Sequence, residues 1–460
     1  MGELRFENRM SDTDALMWSI EKDPLLRSTI VAVSILDQAP DRDRLVERID
    51  RSSRMITRLR QRVVSPPFSI APPRWVVDPN FDINYHLRFL SAPGDGSMRD
   101  LLDLAAPIGM QGFDRARALW EFTVVDGLAD GKAAMIQKIH HSVTDGVGGV
   151  ELALTMLDLE RDPAGELGPM PEPPAAEAPT PLGLLSDGLR HESRRQRGIA
   201  SRLVGQARTA LRAPGETAAA TGAVAQSLAR LLAPAFAPLS PIMTGRSLSV
   251  RFDTVTVPLN ELKSAAKRSG GKLNDAFVAA ITGGLRRYHQ DHGAPVDLLR
   301  MAMPISVRAA GDTTAGGNQF VPARFTVPVD IDDPIERMAS VRALVAEQRA
   351  EPALAFTEPI AGVLNRMPTQ LTTQLFGGML KGIDFTTSNV PGAPFEVFLC
   401  GAKIEAQFPF GPLSGAAANV TLLSNVDRVH VGLNTDPAAV PDPEHFVACI
   451  EAGFDEILKA

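Results

Sequence analysis

Ala133-Ala134-Met135-Ile136-Gln137-Lys138-Ile139 leads without a break into His140-His141-Ser142-Val143-Thr144-Asp145-Gly146. The first seven residues predict a buried strand, and Thr144-Asp145-Gly146 predicts a turn before a helix over Val147–Leu159. A strand-end loop is where a rigid scaffold exposes reactive groups. Neighbouring strand residues point to opposite faces, so His140 and His141 cannot serve one site from one side. One reactive imidazole beside one supporting neighbour therefore fits better than a two-histidine metal centre, which needs further ligands. No His-x-x-x-His and no cysteine pair lies nearby, and no metal is expected there.

Working outward, 460 residues exceed one ordinary core and predict two domains. The chain is 44% hydrophobic and 22% charged, the balance of a soluble globular protein. Its net charge of -7 argues against nucleic acid as the main partner, because a duplex binder carries a basic excess. Cys400 and Cys449 are too few for a disulfide framework, lack metal-ligand spacing and read as ordinary buried thiols. Met1-Gly2-Glu3-Leu4-Arg5-Phe6 lacks the apolar region of a secretory signal. No run reaches the ~20 apolar residues that cross a bilayer. The expected location is the cytoplasm, with any membrane contact peripheral.

Three regions emerge. Residues 1–160 mix helix and strand: Asp12–Glu21 and Leu45–Arg60 read as helices. Thr29–Leu36, Trp75–Val77, Tyr85–Leu90, Trp120–Val125 and Ala133–Ile139 read as strands. Residues 161–245 change character. Arg161–Pro181 is too rich in proline for helix or central strand and predicts an extended, mobile linker. An arginine-rich amphipathic helix carrying Arg190 through Arg212 follows, then an apolar tract over Leu228–Met243. From 246 to 460 the alternation resumes. Val250–Val257, Leu298–Pro304, Phe320–Val327, Glu396–Ile404, Asn419–Leu423 and Val429–Leu433 are strands, and Leu259–Arg268, Leu273–Gln290 and Pro443–Leu458 are helices. Two mixed α/β halves joined by a proline-rich tether is the simplest architecture.

A neutral imidazole titrating near neutrality suits proton abstraction from an alcohol that attacks a thioester. Asp145 suits a loop-fixing ion pair with an arginine, and Gly146 permits backbone closed to other residues. No Gly-x-Ser-x-Gly elbow is present, and neither cysteine adjoins a histidine in sequence, so no covalent nucleophile is visible.

His140 to Gly146 resembles the shared signature of the acyl-CoA acyltransferase superfamily. Its members include chloramphenicol acetyltransferases, carnitine acyltransferases and nonribosomal peptide condensation domains. Further segments narrow the likeness. Phe113-Asp114-Arg115-Ala116-Arg117-Ala118-Leu119-Trp120-Glu121 resembles the segment before the motif in bacterial wax ester synthase/diacylglycerol acyltransferases. Leu273-Asn274-Asp275-Ala276 resembles the Asn-Asp helix start of that family. Met303-Pro304-Ile305-Ser306-Val307-Arg308 with Gly317-Asn318, and Thr387-Ser388-Asn389-Val390-Pro391-Gly392, match in order and spacing. Asp12-Thr13-Asp14-Ala15 fits the opening helix. One departure stands out: Ala118-Leu119-Trp120 replaces the common Pro-Leu-Trp, a segment associated with substrate fit.

This resemblance implies two chloramphenicol-acetyltransferase-like α/β halves forming a pseudo-dimer, with the active-site channel between them. It implies His141 as general base, His140 as its support, Asp145 as a structural residue, and direct transfer from acyl-CoA without an acyl-enzyme. Acyl-CoA would be a co-substrate, and no cofactor is expected. Asn274, Ser388 and Asn389 are candidate donors to the oxyanion, though Asn274 equally suits a helix cap near Asp275. Arg308 suits either a buried acid or the CoA phosphates. The expected acceptor is diacylglycerol, with long-chain fatty alcohols as a further one. A different alcohol, or a non-catalytic lipid-surface protein of the same fold, are the alternatives. The arginine-rich helix suits anionic membrane or lipid-droplet surfaces, or simple packing on the protein body.

Overall fold

The computed structural model describes residues 7–143, 155–163, 168–212, 237–306, 320–351 and 357–460, with the side chains of 199–212, 306, 320–322 and 357 outside that description. The first part contains α1 (Asp12–Ile20), β1 (Thr29–Leu36), α2 (Arg42–Met55), β2 (Gln61–Val64), β3 (Arg74–Val77), α3 (Ile83–His86), β4 (Leu87–Ser91), α4 (Met98–Met110), β5 (Trp120–Asp126) and β6 (Ala133–His140). Helix α5 (Pro181–Arg212) follows. The last part contains β7 (Arg251–Pro258), α6 (Leu259–Arg268), α7 (Leu273–Asp291), β8 (Leu298–Ser306), β9 (Phe320–Pro328), α8 (Pro334–Arg349), α9 (Thr357–Leu364), α10 (Thr369–Lys381), β10 (Phe385–Pro391), β11 (Phe398–Leu399), β12 (Ala402–Phe410), β13 (Ala418–Asn425), β14 (Arg428–Thr435) and α11 (Pro443–Lys459).

Alternation of apolar residues builds two six-stranded sheets. The first has the order β11-β12-β1-β6-β5-β4. Leu36, Trp120, Phe122 and Met135 on one face pack with Leu45 and Ile49 of α2. Val31, Val33 and Ile136 on the other face pack with Leu101, Leu102 and Ala105 of α4. The second sheet has the order β7-β14-β13-β10-β8-β9. Val255, Met301, Phe385, Val420 and Val431 form its helix-side face under α6, α7, α8 and α11. Helices α7 and α11 pass very close, because a Cβ on Gly453 would run into the Ala280 carbonyl oxygen.

The division at residue 245 needs one correction. Strands β11 and β12 come from the last part of the chain yet belong to the first sheet, with Val31 opposite Phe410 and Val33 opposite Phe408. Their reason is burial: Phe408 and Phe410 share one core with Val31 and Val33, and β1 would otherwise present an open edge. Strand β12 also lies against the second sheet, where Gly432 lets the Pro409 carbonyl approach.

Local differences have local causes. The strand expected over Glu396–Ile404 is a hairpin, because Cys400 and Gly401 both take left-handed backbone, with φ of 46° and 89°, and Leu399 pairs Ala402 across the turn. Tyr85–Leu90 divides into α3 and β4, since the Asp82 side chain accepts from the Asn84 amide and starts a helical turn. Over 168–180 the proline-rich stretch forms neither helix nor strand, and α2 holds it. Arg51 donates to the carbonyls of Gly168 and Pro169, and Arg54 donates to that of Pro171. Residues 147–154 of the expected helix, and 228–236 of the apolar tract, lie outside the described residues. Among the described residues, no helix is long and apolar enough to cross a membrane.

Candidate active site

His140 is the last residue of β6, pairs with Thr29 of β1, and is fully buried. Its Nδ1 accepts from the Ser142 backbone N–H at 3.1 Å and lies 2.7 Å from the Ser142 hydroxyl. That acceptor role at Nδ1 assigns the proton to Nε2, which donates to Glu21 Oε1 at 2.8 Å. Trp18 and Phe113 stand edge-on to the ring, at centroid distances of 5.3 and 6.0 Å. Both nitrogens of His140 are engaged, and its ring lies between two aromatic rings.

Glu21 follows α1 directly and was invisible to sequence reasoning, since nothing separates it from an ordinary helix-end acid. The same Oε1 that meets His140 accepts the Ser28 N–H at 2.7 Å. Ser28 in turn accepts the His141 N–H through its carbonyl at 2.9 Å. One buried carboxylate thus holds the ring of His140 and, through one peptide, the backbone of His141. Burial alone would raise its pKa. The His140 imidazole, its hydrogen bond, the Ser28 amide and Arg115 outweigh that effect and hold the carboxyl below its ordinary value. His141, one residue beyond the strand, is only half-buried. Asp145 and Gly146 lie outside the described residues, as does Arg308.

The face of the second sheet turned away from its helices meets the first half. Phe252 of β7 stacks on Phe410 at 4.2 Å, and Asn434 of β14 donates to the Gly411 carbonyl at 2.9 Å. Asn419 of β13 donates to Thr386 Oγ1 and the Pro412 carbonyl on the same face. Burial pushes His430 on this face down to about 4, so its ring is neutral near pH 7. Strand alternation then separates two candidates. Ser388 sits opposite Thr421 and shares the inter-half face, whereas Asn389 sits opposite Leu422 and shares the helix-side face. Strands β8 and β10 pair only at Phe385–Met301 and Thr386–Ala302, so Ser388 and Asn389 lie beyond the point where the two strands part.

Asn274 belongs to the helix side as well. Its amide nitrogen lies 3.8 Å from Met303 Sδ of β8, whose side chain packs under α7. The structure therefore does not bring Asn274 to one face with Ser388. Asn274 is not the cap: Lys272 holds the N-cap position, and Asp275 completes a capping box by accepting the Lys272 N–H at 2.7 Å. Trp120, expected among the substrate-fit residues, is a core residue. It is fully buried, donates its indole N–H to the Leu59 carbonyl at 2.7 Å, and stacks on His86 at 4.6 Å. Both cysteine thiols are pushed up to about 11 by burial, which disfavours a thiolate nucleophile.

Two cavities have walls that include neighbours of His140. One, of about 70 Å³, opens between the halves and is lined by Arg27, Thr29, Val31, Arg246, Phe252 and Phe410. Thr29, the register partner of His140, stands in its wall. The other, of about 150 Å³, is lined by Trp18, Lys22, Arg115 and Arg366. Arg115 also stacks over the Trp18 ring at 4.2 Å.

Comparisons with known proteins agree over the whole length. The profile of the wax ester synthase/diacylglycerol acyltransferase catalytic domain matches residues 10–277, and that of the family's C-terminal domain matches 316–458. A Mycobacterium tuberculosis (strain H37Rv) protein, Rv2484c, named as a candidate diacylglycerol O-acyltransferase, is 41% identical over 99% of this chain and 92% of its own. The solved structure of the wax ester synthase/diacylglycerol acyltransferase from Marinobacter aquaeolei VT8 superposes with a TM-score of 0.61 at 23% identity, covering 98% of each chain. The starter condensation domain of rhizomide synthetase RzmA, solved as a point mutant with C8-CoA, gives 0.59 at 12% identity over 98% of this chain and 95% of that one. Both solved structures share the two-half α/β fold expected from the motif. The chain belongs to the wax ester synthase/diacylglycerol acyltransferase family.

Proposed function

We propose that this acyltransferase moves a long-chain acyl group from acyl-CoA to the hydroxyl of diacylglycerol, forming triacylglycerol, with His141 as general base. The observation that carries this reading is the Glu21–His140 lock. It fixes the strand end and leaves the half-buried His141 as the imidazole next in line. The His141 imidazole takes the acceptor hydroxyl proton as that oxygen attacks the thioester carbonyl. The tetrahedral intermediate collapses, the carbon–sulfur bond breaks, and the imidazolium returns the proton to the departing CoA thiolate. Ser388, on the inter-half face, is the favoured donor to the oxyanion. By the family resemblance, Asp145 and Gly146 belong to the motif of His141, and Arg308 is a candidate for contact with CoA. No cofactor beyond the co-substrate acyl-CoA enters this scheme.

Wax ester formation from long-chain alcohols is a second activity of the same site, favoured by the likeness to the Marinobacter enzyme. The test offers labelled palmitoyl-CoA with diacylglycerol and with hexadecanol, side by side, to wild type and His141→Ala. Triacylglycerol from wild type alone supports the reading. Product from hexadecanol alone moves the acceptor to fatty alcohols, and a folded wild type that acylates neither sinks both.

The reading also places the enzyme in the cytoplasm at a membrane or lipid-droplet surface, through α5. Leu184 packs inward and Arg9 binds Asp187 at 2.5 Å, while Leu182 and Leu189 stay exposed. Exposed leucines among arginines suit an anionic lipid surface. Sedimentation with anionic liposomes that is unchanged in a Leu182→Ser, Leu189→Ser variant would remove this part.

A further inference from the structure

Away from the histidine site, the junction of α7 with α11 gathers a mixed set of donors. Asp291 is the last residue of α7, and His445 and Cys449 lie one turn apart on α11. Residues four apart share a helix face, so both side chains of α11 reach toward Asp291. His445 Nε2 lies 3.2 Å from Asp291 Oδ2. Cys449 Sγ lies 3.7 Å from His445 Nε2 and 3.8 Å from Asp291 Oδ2. An ordinary surface ion pair accounts for the first of these distances. The thiol donates to the same carboxylate and stands beside the same imidazole, so three donor atoms of different kinds converge on one point.

Zinc bonds of about 2.0–2.3 Å at tetrahedral angles set ligand atoms about 3.3–3.6 Å apart. The three observed edges bracket that range. Thiolate, imidazole and carboxylate together are the ligand chemistry of a borderline-soft divalent cation, and not of calcium or magnesium. We propose that Asp291, His445 and Cys449 bind a divalent transition-metal ion of the zinc class in a three-ligand tetrahedral site. The fourth position faces water, since the Asp291 and His445 side chains are 46% and 41% exposed. Cys449 itself is buried and anchors the site from below. On binding, the Cys449 S–H proton passes to solvent as the sulfur–metal bond forms. The nearby cation Arg287 is engaged by Glu456 at 2.7 Å, which reduces its competition for the site.

No sequence spacing marks this set, because Asp291 and Cys449 lie 158 residues apart. The ion would clip two helices whose backbones already pass at glycine distance, and would thus serve stability. The proposal is independent of the acyl-transfer reading.

The test uses the tag-free full chain titrated with Co(II) alone. A single equivalent with tetrahedral visible bands and a near-ultraviolet thiolate-to-cobalt band is expected. Cys449→Ser should abolish the thiolate band, and His445→Gln, at an exposed position, should weaken binding by more than about tenfold. Zinc should raise the Tm of wild type and not that of His445→Gln, whose acyl transfer stays at the wild-type level. A wild type without the thiolate band overturns the proposal, as does a band that survives in folded Cys449→Ser or binding unaffected in His445→Gln.

Discussion

The Glu21 carboxylate and the His140 imidazole meet at 2.8 Å, although 119 residues separate them in sequence. This contact joins the end of α1 to the end of β6. The same carboxylate oxygen reaches the Ser28 amide, and the Ser28 carbonyl reaches the amide of His141. Helix α1 thereby acts as a buttress for the histidine pair, with Glu21 as a positioning residue.

Glu21→Gln should make stability less dependent on acid pH. The folded pKa of Glu21 lies below its ordinary value of 4.5. Its contribution is therefore fully present above that value and is lost as pH falls through the folded pKa. Denaturant titrations should show wild type ahead of Glu21→Gln near neutrality, with the gap closing as the medium becomes more acidic. A gap that stays constant with pH would show that the carboxylate charge plays no part.

His141→Ala should lower acyl transfer by about 10²–10⁴-fold, the usual contribution of a general base. The Tm should fall less than in His140→Ala, because His141 is half-buried where His140 is fully buried. His140→Ala should instead cost about 1–3 kcal/mol of stability by leaving the buried Glu21 carboxylate short of a donor. Thermal melts beside initial rates for the pair would separate the roles.

Ser388→Ala and Asn389→Ala should differ in kind. Ser388 shares the inter-half face, so its loss should lower kcat by about 10²-fold if its hydroxyl meets the oxyanion. Asn389 shares the helix-side face, so its loss should appear in the Tm with kcat retained. The reverse pattern would move the oxyanion donor to Asn389.

Trp120→Phe should leave kcat/KM for acyl-CoA unchanged while costing about 1–3 kcal/mol. The substitution leaves the buried Leu59 carbonyl without its indole donor. A changed chain-length preference with unchanged stability would restore Trp120 to the substrate-contacting residues.

Much of the fold was legible because burial leaves a periodic trace. Thr29–Leu36 and Ala133–Ile139 follow from apolar runs, and Leu259–Arg268 follows from helical spacing. Long-range choices leave no such trace. Nothing local in Ala402–Phe410 says that it will pair with β1 instead of a nearer strand; its phenylalanines settle that only against Val31 and Val33. Short-range chemistry can mislead too. Asn274 has the residue type of a cap, yet Asp275 is the residue whose carboxylate reaches back to Lys272. In the site, the histidine pair was legible because two adjacent imidazoles are rare, whereas Glu21 is a common residue in a common place.

The borrowed strand β12 has a consequence for synthesis. On the ribosome, the free edge of β1 is made early, but its cover arrives only with residues 402–410. At ~5–20 residues per second, that edge waits roughly 20–75 s for its partner. During that interval Val31 and Val33 lack the phenylalanines that bury them, and the nascent chain carries an aggregation-prone edge. Cutting the gene at the proline-rich tether would make that condition permanent, so the first half should be recoverable in soluble form only when residues 398–410 are supplied with it.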